Sequence, residues 1–286
     1  MATKPANAFP RRFVFHGNAV AAEVFLTRVG NVEQTVINPV NGQSSLPVIG
    51  GESSSEVLAP DFPALLASVF SYSAARTRAQ GVLEGENAIT TVESSVNDVR
   101  VTNSPTPDES DDPSPIEFRA QALSLGLRST HPLTGEQPRI EFLGTPQFDG
   151  LSLGGLPIQL ELNTELMRLS RWDDLNERFQ TDREFFESCQ FGAADPTRSV
   201  TFGQGIPYTT GSYALCSFVR SIRLGDQIIP GHAIEQRGFG TIYFGEVLVN
   251  DKERRVTMVR MQLGSKNGGQ TVFAETDPNG TLIPPI

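Results

Sequence analysis

The chain has 286 residues, with 23 Lys and Arg against 33 Asp and Glu, so its formal net charge is -10. This length can bury a sizeable core, and the 38% hydrophobic content is too high for a wholly disordered chain. Because cations are not in surplus, the composition argues against nucleic acid and against an anionic membrane surface as partners.

The first residues, MATKPANAFPRR, lack the apolar segment of a secretory signal peptide. No apolar run approaches the roughly 20 residues that cross a bilayer as a helix. We therefore expect a cytoplasmic protein without membrane insertion, with export without a leader peptide as the open alternative. Cys189 and Cys216 are expected to be reduced, partly buried thiols rather than a disulfide framework.

Strand patterns dominate the N-terminal part of the chain. Residues 12–29 contain two apolar runs separated by His16-Gly17-Asn18, and the Gly-Asn pair predicts a type II′ hairpin turn. Residues 61–80 begin with helical spacing and continue with strand-like spacing, so we predict a short helix near 61–70. Residues 104–115, SPTPDESDDPSP, are acidic and rich in proline, which predicts an exposed loop or linker.

A change of phase marks the strand predicted after this acidic loop. The apolar residues from Ile116 to Ala120 occupy even positions, whereas those from Leu123 to Leu127 occupy odd positions. A regular strand cannot send both sets to one core, so we predict a β-bulge near Ala122–Leu123 that buries both. A strand that passes from one sheet into another is the alternative.

Short helices and further strands follow in the C-terminal part. We predict two helices between residues 163 and 190, because Ser170 begins an S-x-x-D cap and Thr181 begins a T-x-x-E capping box. Leu224-Gly225-Asp226-Gln227 predicts a second hairpin turn. These patterns place the helices inside an otherwise β-rich region.

Together the patterns predict a mostly β fold, an antiparallel sandwich or irregular barrel with a few short helices. Residues 1–103 form an N-terminal β-rich part, and residues 116–286 form a C-terminal β-rich part that contains the helical insertion. The segment 104–115 is the loop or linker between them. One continuous domain that includes both parts is the alternative.

One motif suggests nucleophilic catalysis. Gly150-Leu151-Ser152-Leu153-Gly154 matches the G-x-S-x-G pattern of a nucleophile elbow, and His232 follows it in the required chain order. The residues after the motif have a strand pattern instead of the helix that an elbow needs, which favours a glycine-rich turn. Ser152 and His232 are thus the catalytic candidates of a hydrolase that the context disfavours.

Acidic residues offer two other candidate sites. Those of the predicted helices could supply a carboxylate pair for hydrolysis, although their alternation with arginines is typical of a solvated helix face. The acidic loop offers carboxylates to a hard cation such as Ca²⁺, but without the order of an EF-hand loop. The loop candidates are Asp108, Glu109, Asp111 and Asp112. We find no zinc, phosphate-binding or dinucleotide-binding pattern and expect no cofactor.

The clearest hairpin pairs residues 241–249 with residues 256–263, and its first strand is apolar on both faces. Strict alternation places Tyr243, Val247 and Val249 on one face, whereas a two-layer sandwich should leave one face of the strand in water. We therefore expect these three residues at an interface with a second copy of the chain or with another protein subunit.

The missing catalytic patterns and the two apolar faces predict a non-catalytic structural or interaction protein, a subunit of a homo- or hetero-oligomeric assembly. A carbohydrate- or peptide-binding β module is the alternative, although one Trp and four Tyr offer few aromatics for sugar stacking. A hydrolase that uses Ser152 or a carboxylate pair is the third hypothesis.

Overall fold

A computed structural model describes residues 12–29, 36–105, 114–190, 202–203, 213–264 and 266–283. The helices in these ranges are α1 (Ala64–Ala67), α2 (Thr164–Arg168), α3 (Trp172–Thr181) and α4 (Arg183–Ser188). The strands are β1 (Arg12–Arg28), β2 (Val36–Ser45), β3 (Gly51–Leu58), β4 (Phe70–Ser71), β5 (Ala74–Glu84), β6 (Asn87–Asn103), β7 (Ile116–Pro132), β8 (Arg139–Phe142), β9 (Gln147–Asp149), β10 (Ser152–Leu153), β11 (Leu156–Leu162), β12 (Ala214–Ser217), β13 (Val219–Leu224), β14 (Gln227–Pro230), β15 (Ala233–Gln236), β16 (Gly240–Val249), β17 (Arg254–Gly264) and β18 (Gly268–Ile283).

The strands form two antiparallel sheets that do not close into a barrel, which confirms the predicted mostly β sandwich. The first sheet has the order β12-β16-β17-β18-β1-β2, and β15 pairs with β16. The second has the order β14-β13-β11-β10-β7-β6-β5-β3, with β4 paired to β6 and both β8 and β9 paired to β7. Because β1 pairs with β18, the predicted N- and C-terminal parts share one sheet. Their division into domains stays a prediction.

The core lies between the two sheets and contains many phenylalanine rings. Phe70 of the second sheet stacks on Phe273 of the first, with 5.4 Å between ring centroids. Phe118 of the second sheet lies 6.4 Å from Phe244 of the first, with the rings tilted, and all four side chains are buried. Full burial of one such side chain stabilises the fold by about 1.5–3 kcal/mol.

Both apolar sets of β7 are buried, as expected, but the β-bulge predicted near Ala122–Leu123 is wrong. In β7 the buried positions are even-numbered up to Ala120 and odd-numbered from Leu123 onward. No extra residue is inserted, because β6 changes phase at the same level and the register of the two strands is kept. The β6 residue at this level, Asp98, has a left-handed φ of 52°. In both strands, the parity of the residues that point toward the core changes at this level. Because the two changes coincide, the same face of the sheet packs against the core on either side of it.

A similar inversion crosses the whole first sheet. Three strands each contribute one residue with positive φ, namely Gly245 of β16, Ala274 of β18 and Gly42 of β2. The flanking registers align these residues with Met258 of β17 and Ala21 of β1, which lie between them. The buried positions of β1, β16 and β17 change parity at this row. We call this row the inversion line of the first sheet.

The second sheet has its own inversion line, through Asp98. The flanking registers align Asp98 with Gln121 of β7, and then with Gly150, which has a φ of 60°. On the other side, the Ser73 amide donates to the Asn97 carbonyl oxygen, and the Ala59 amide donates to the Ser73 carbonyl oxygen. Ala59 has a φ of 47°, so left-handed residues alternate along this line as well.

Of the two predicted hairpin turns, one is wrong and one is confirmed. The expected turn at Gly17-Asn18 is absent from the described chain, because residues 16–18 lie inside β1. Gly17 instead permits a close approach: a Cβ atom there would lie 2.8 Å from Leu46 Cδ1 and 2.9 Å from Thr90 Cγ2. The turn at Gly225-Asp226 joins β13 to β14 as expected.

The helices lie in the predicted regions. α1 falls within residues 61–70 and is followed by strands β4 and β5. α3 and α4 are the two helices expected between residues 163 and 190. α2 is an additional short helix in the same stretch, and Asn163 caps it by accepting a hydrogen bond from the Leu166 amide.

The predicted caps of α3 and α4 need correction. Ser170 is not the cap of α3, which begins at Trp172 after a residue that makes no side-chain cap hydrogen bond. The cap of α4 is Asp182 and not Thr181, because the Asp182 carboxylate accepts a hydrogen bond from the Phe185 amide at 2.9 Å. An aspartate at this position also places a negative charge at the helix N-terminus, which is favourable.

Candidate functional site

The outer face of the second sheet, which points away from the core, contains a cleft of about 500 Å³. The cleft crosses β3, β5, β6 and β7, and the segment after β8 forms its wall at the β7 end. Half of its lining residues are Ser or Thr, and the others include two arginines, two glutamates and one exposed leucine. The residues that define its shape are Ser54, Arg76, Arg78, Glu93, Gly126 and Leu143.

The strand registers explain why this face is hollow. Arg78, Glu93 and Gly126 lie opposite one another on β5, β6 and β7, so side chains shorten along this row toward β7. The next row is Arg76, Ser95 and Ser124. Ser95, Ser124 and Gly126 thus leave the middle of the cleft low, whereas long side chains rise from β3 and β5 and, on β6, from Glu93.

Gly126 fits closely beneath the wall of the cleft. A Cβ atom at Gly126 would lie 3.0 Å from Leu143 Cβ, which is tighter than an ordinary contact. The Leu143 amide donates a hydrogen bond to the Gly126 carbonyl oxygen at 2.8 Å, so the wall is fixed to the floor. The Leu143 side chain is 41% exposed and gives the cleft an apolar edge.

The two arginines of the cleft are held by ion pairs, and they and Glu93 keep unused hydrogen-bonding groups. Arg76 donates through Nε to Glu56 at 2.6 Å, and Arg78 donates through Nε to Glu52 at 2.9 Å. Within the described residues, the terminal nitrogens of both guanidinium groups and both carboxylate oxygens of Glu93 form no hydrogen bond. These groups are exposed to water and can be offered to a ligand.

A polar cluster on the outer face of the first sheet is arranged differently. Glu246 is 5% exposed and accepts two hydrogen bonds from Arg260, at 2.6 and 2.7 Å. The Arg260 guanidinium lies 3.9 Å from the centroid of the Tyr243 ring. His232 Nε2 lies 4.0 Å from a Glu246 oxygen, and burial lowers the pKa of His232. The cluster therefore uses its charges internally.

Buried carboxyl groups extend this cluster toward the end of β18. Asp277 is 3% exposed, and burial, assisted by the negative charge of Glu253, raises the pKa of Asp277 to about 7. Arg255 lies 3.7 Å from the Asp277 carboxylate and opposes this rise. The Tyr213 hydroxyl donates to Glu253 at 3.2 Å. Sequence reasoning missed Asp277, because the D-P-N-G sequence around it carries no strand signal.

The structure does not bring the catalytic candidates Ser152 and His232 together as a nucleophile and its base. Ser152 lies in β10, and Gly154 and Gly155, with φ values of 56° and 80°, form the turn to β11. This confirms the glycine-rich turn interpretation. His232 lies beside Glu246 on the first sheet, and no side-chain hydrogen bond joins Ser152 to a histidine within the described residues.

The candidate acidic sites lie elsewhere. Asp108, Glu109, Asp111 and Asp112 fall outside the described residues. In the helices, Arg178 pairs with Asp182 at 2.7 Å and Arg183 pairs with Glu187 at 3.4 Å, and both are i,i+4 pairs on exposed surface. In the part of the chain that the structure describes, no group of three or more acidic, His or Cys side chains is placed to hold a metal ion.

The two cysteines are buried free thiols, as expected. Burial raises the pKa of Cys189 to about 12, so its thiol is protonated and inert as a nucleophile at neutral pH. Burial also raises the pKa of Cys216. Across the described ranges, no helix is long and apolar enough to cross a membrane.

The expected interface residues do not share one surface. Val247 and Val249 are each 2% exposed and belong to the chain's own core, whereas Tyr243 is partly buried on the outer face beneath Arg260. Strict alternation failed because the left-handed φ of Gly245 inverts the facing of β16. The premise of two apolar faces was therefore wrong, and the reason for expecting Val247 and Val249 at an interface disappears.

The fold and the cleft define the protein as an antiparallel β-sandwich with a polar groove on one outer face. Its sequence matches a family described as a domain of unknown function, DUF8256, over residues 13–250, and the chain belongs to that family. The matched region includes every strand of the second sheet and therefore the whole cleft. No curated protein and no solved structure matches the chain.

Proposed function

We propose that the protein is a non-catalytic binding module that holds a polar ligand in the cleft of the second sheet. The cleft itself carries this proposal, because its volume of about 500 Å³ falls in the range of known ligand sites, about 300–1,000 Å³. It also offers donors and acceptors that the fold does not use. The carbohydrate- or peptide-binding module expected as an alternative is therefore the function that the geometry supports best.

The location proposed for this activity is the cytoplasm, and nucleic acid is not proposed as a ligand. Two buried free cysteines suit a reducing compartment. The net charge of -10 disfavours a polyphosphate backbone.

A ligand screen that compares the wild type with a variant whose cleft is filled by a larger side chain tests the proposal. Ser95→Leu places a large side chain on the floor of the cleft, and we expect it to abolish retention of ligands from pooled oligosaccharides and peptides on the immobilised protein. Thr102→Leu is the matched control, because it changes the same face of β6 outside the cleft lining and should leave retention intact. Equal retention by wild type and Ser95→Leu would contradict the proposal.

A second candidate function, a subunit of a homo- or hetero-oligomeric assembly, has separate support. Ile49 is 87% exposed and Leu83 is 62% exposed. Ile49 lies in the turn two residues before β3, and Leu83 lies on β5 two residues beyond Gly81, the partner of Gly51. Large exposed aliphatic side chains at one end of a sheet favour a contact surface between subunits.

Light scattering at micromolar concentration tests this second candidate. We expect a species larger than one 31.1 kDa chain, and Ile49→Ser together with Leu83→Ser should convert it to a single chain. A monodisperse single chain for the wild type would contradict the candidate, and the cleft proposal does not depend on the result.

A further inference from the structure

We infer that the ligand of this cleft is a neutral oligosaccharide that lies across β3, β5, β6 and β7. The inference rests on the proposed function, because it names the ligand class for the same cleft. Four features of the cleft support it: its neighbouring donors and acceptors, its charge balance, its fully paired central strands and its length.

The first feature is a donor beside an acceptor. Arg78 and Glu93 are direct cross-strand partners, yet Arg78 pairs with Glu52 on β3, and no ion pair between Arg78 and Glu93 forms in the described residues. A guanidinium and a carboxylate with unused hydrogen-bonding groups therefore occupy neighbouring positions of the sheet. Each sugar hydroxyl is both a donor and an acceptor, so neighbouring hydroxyls can satisfy both groups at once.

The second feature is charge balance. The lining contains two arginines, and their charges are offset by Glu56 and Glu93 of the lining and by Glu52, which pairs with Arg78 beside the cleft. An anionic ligand would have to compete with Glu56 for Arg76 and would be repelled by Glu93. A neutral ligand meets no such penalty, so this balance favours sugars without acidic groups.

The third feature is that β5, β6 and β7 are paired on both sides within the described residues, and only β3, the last strand of the sheet, has an unpaired edge at the cleft. The floor residues Thr77, Ser94 and Leu125 lie on strands that pair with neighbours in the sheet ladder. On the far side of β7, the Gly126 carbonyl oxygen accepts the Leu143 amide. A peptide that adds a strand could bind only along β3, so recognition across β5, β6 and β7 falls to side chains.

The fourth feature is the length and edge of the cleft. Three strand spacings of about 4.8 Å separate β3 from β7, which gives about 14 Å, longer than a single sugar ring. The exposed Leu143 side chain and the aliphatic stems of Arg76 and Arg78 can pack on the C–H faces of sugar rings. Because none of the described residues that line the cleft is aromatic, hydrogen bonds must supply most of the selectivity.

An NMR titration of the full ¹⁵N-labelled chain tests the inference. The probes are neutral trisaccharides of glucose, galactose, mannose or N-acetylglucosamine, and in parallel a serine-rich hexapeptide and inorganic phosphate. We expect at least one trisaccharide to shift the amide signals of residues 76–78, 93–95 and 124–126. Glu93→Gln, which keeps the size of the side chain, should weaken this binding at least tenfold.

Glu84→Gln is the matched control, because it removes an exposed carboxylate from β5 outside the cleft lining and should not change the affinity. Cleft shifts with the peptide or phosphate but with no trisaccharide would overturn the inference and leave the proposed function standing. If no probe shifts the cleft amides, and wild type and Ser95→Leu retain the pooled ligands equally, the inference and the proposed function both fail.

Discussion

The outer faces of the two sheets carry the same kinds of charged residue and use them in opposite ways. On the first sheet, Glu246 is 5% exposed and both of its hydrogen bonds come from Arg260. On the second sheet, the Arg76 and Glu56 side chains are 64% and 50% exposed. Their ion pair uses Arg76 Nε and leaves the terminal guanidinium nitrogens available. Burial thus separates charges that stabilise the fold from charges that are available to a ligand.

The largest expected difference between the two faces is in stability. Arg260→Met leaves the Glu246 carboxylate buried without its cation, and such a loss typically costs about 3–5 kcal/mol. We expect urea denaturation to show this decrease in the free energy of unfolding. Arg76→Met is the matched control and should change the free energy of unfolding by less than about 1 kcal/mol, because its ion pair is exposed.

A double variant sharpens this comparison. Glu246→Leu combined with Arg260→Met removes both buried charges, and we expect it to recover most of the stability lost in Arg260→Met alone. If the single Arg260→Met variant were as stable as Arg76→Met, the contrast between a buried and an exposed pair would be incorrect.

The next effect comes from Asp277 on the first sheet. Its pKa in the folded chain is about 7, above the ordinary 3.8, so the folded state holds the proton more tightly. This contribution to stability is complete below pH 3.8 and is lost as the pH rises through about 7, by up to about 4 kcal/mol. Asp277→Asn should remove that loss when denaturation is measured from pH 4 to 8.

The exposed α3 residue Asp174 provides the control for this measurement, because Asp174→Asn should leave the pH profile parallel to that of the wild type. A wild-type profile that differs from that of Asp277→Asn by a constant over this pH range would argue against a protonated Asp277.

His131, at the end of β7, should give a pH effect of the opposite direction. It is 8% exposed and lies 5.0 Å from the Phe13 ring, and burial lowers its pKa from 6.5 to about 4. The folded state therefore disfavours the imidazolium, and stability is lost as the pH falls from 6.5 toward 4, by up to about 3 kcal/mol. His131→Gln should flatten this acid limb, whereas the exposed His16→Gln should not.

The smallest predicted effect concerns the inversion lines, a feature that occurs once in each sheet. Ala59 is exposed and has a φ of 47°, a conformation that costs residues with a Cβ atom roughly 1 kcal/mol. Ala59→Gly should therefore raise the free energy of unfolding by about 0.5–1 kcal/mol. Ala74→Gly on β5, without a positive φ, should lower it, and equal losses in both variants would contradict a strained Ala59.

Sequence patterns predicted the positions of strands and helices better than they predicted which side chains of a strand point toward the core. The spacing from Ile116 to Leu127 correctly indicated a change of phase, because apolar residues of both parities could not otherwise reach one core. The corresponding change in β16 was missed, since Gly245 resembles any glycine in a strand and its left-handed φ is set by the neighbouring strands. Non-glycine residues such as Asp98 and Ala274 give even less signal of positive φ.

The candidate site was beyond sequence reasoning for a related reason. Arg78, Glu93 and Gly126 become neighbours only through the registers of β5, β6 and β7, which no local pattern specifies. Each is unremarkable in its own strand. The hollow appears where small residues from two central strands align, and this alignment is a property of the whole sheet.

A crystal structure of the chain soaked with the trisaccharide that shifts the cleft amides tests the central claim most directly. We predict density for sugar rings across β5, β6 and β7, with hydroxyl groups within hydrogen-bond distance of Arg78 and Glu93. The buried cluster around Glu246 should be unchanged in the same crystals. Sugar density on the outer face of the first sheet, with an empty cleft on the second, would contradict the assignment of binding to the second sheet.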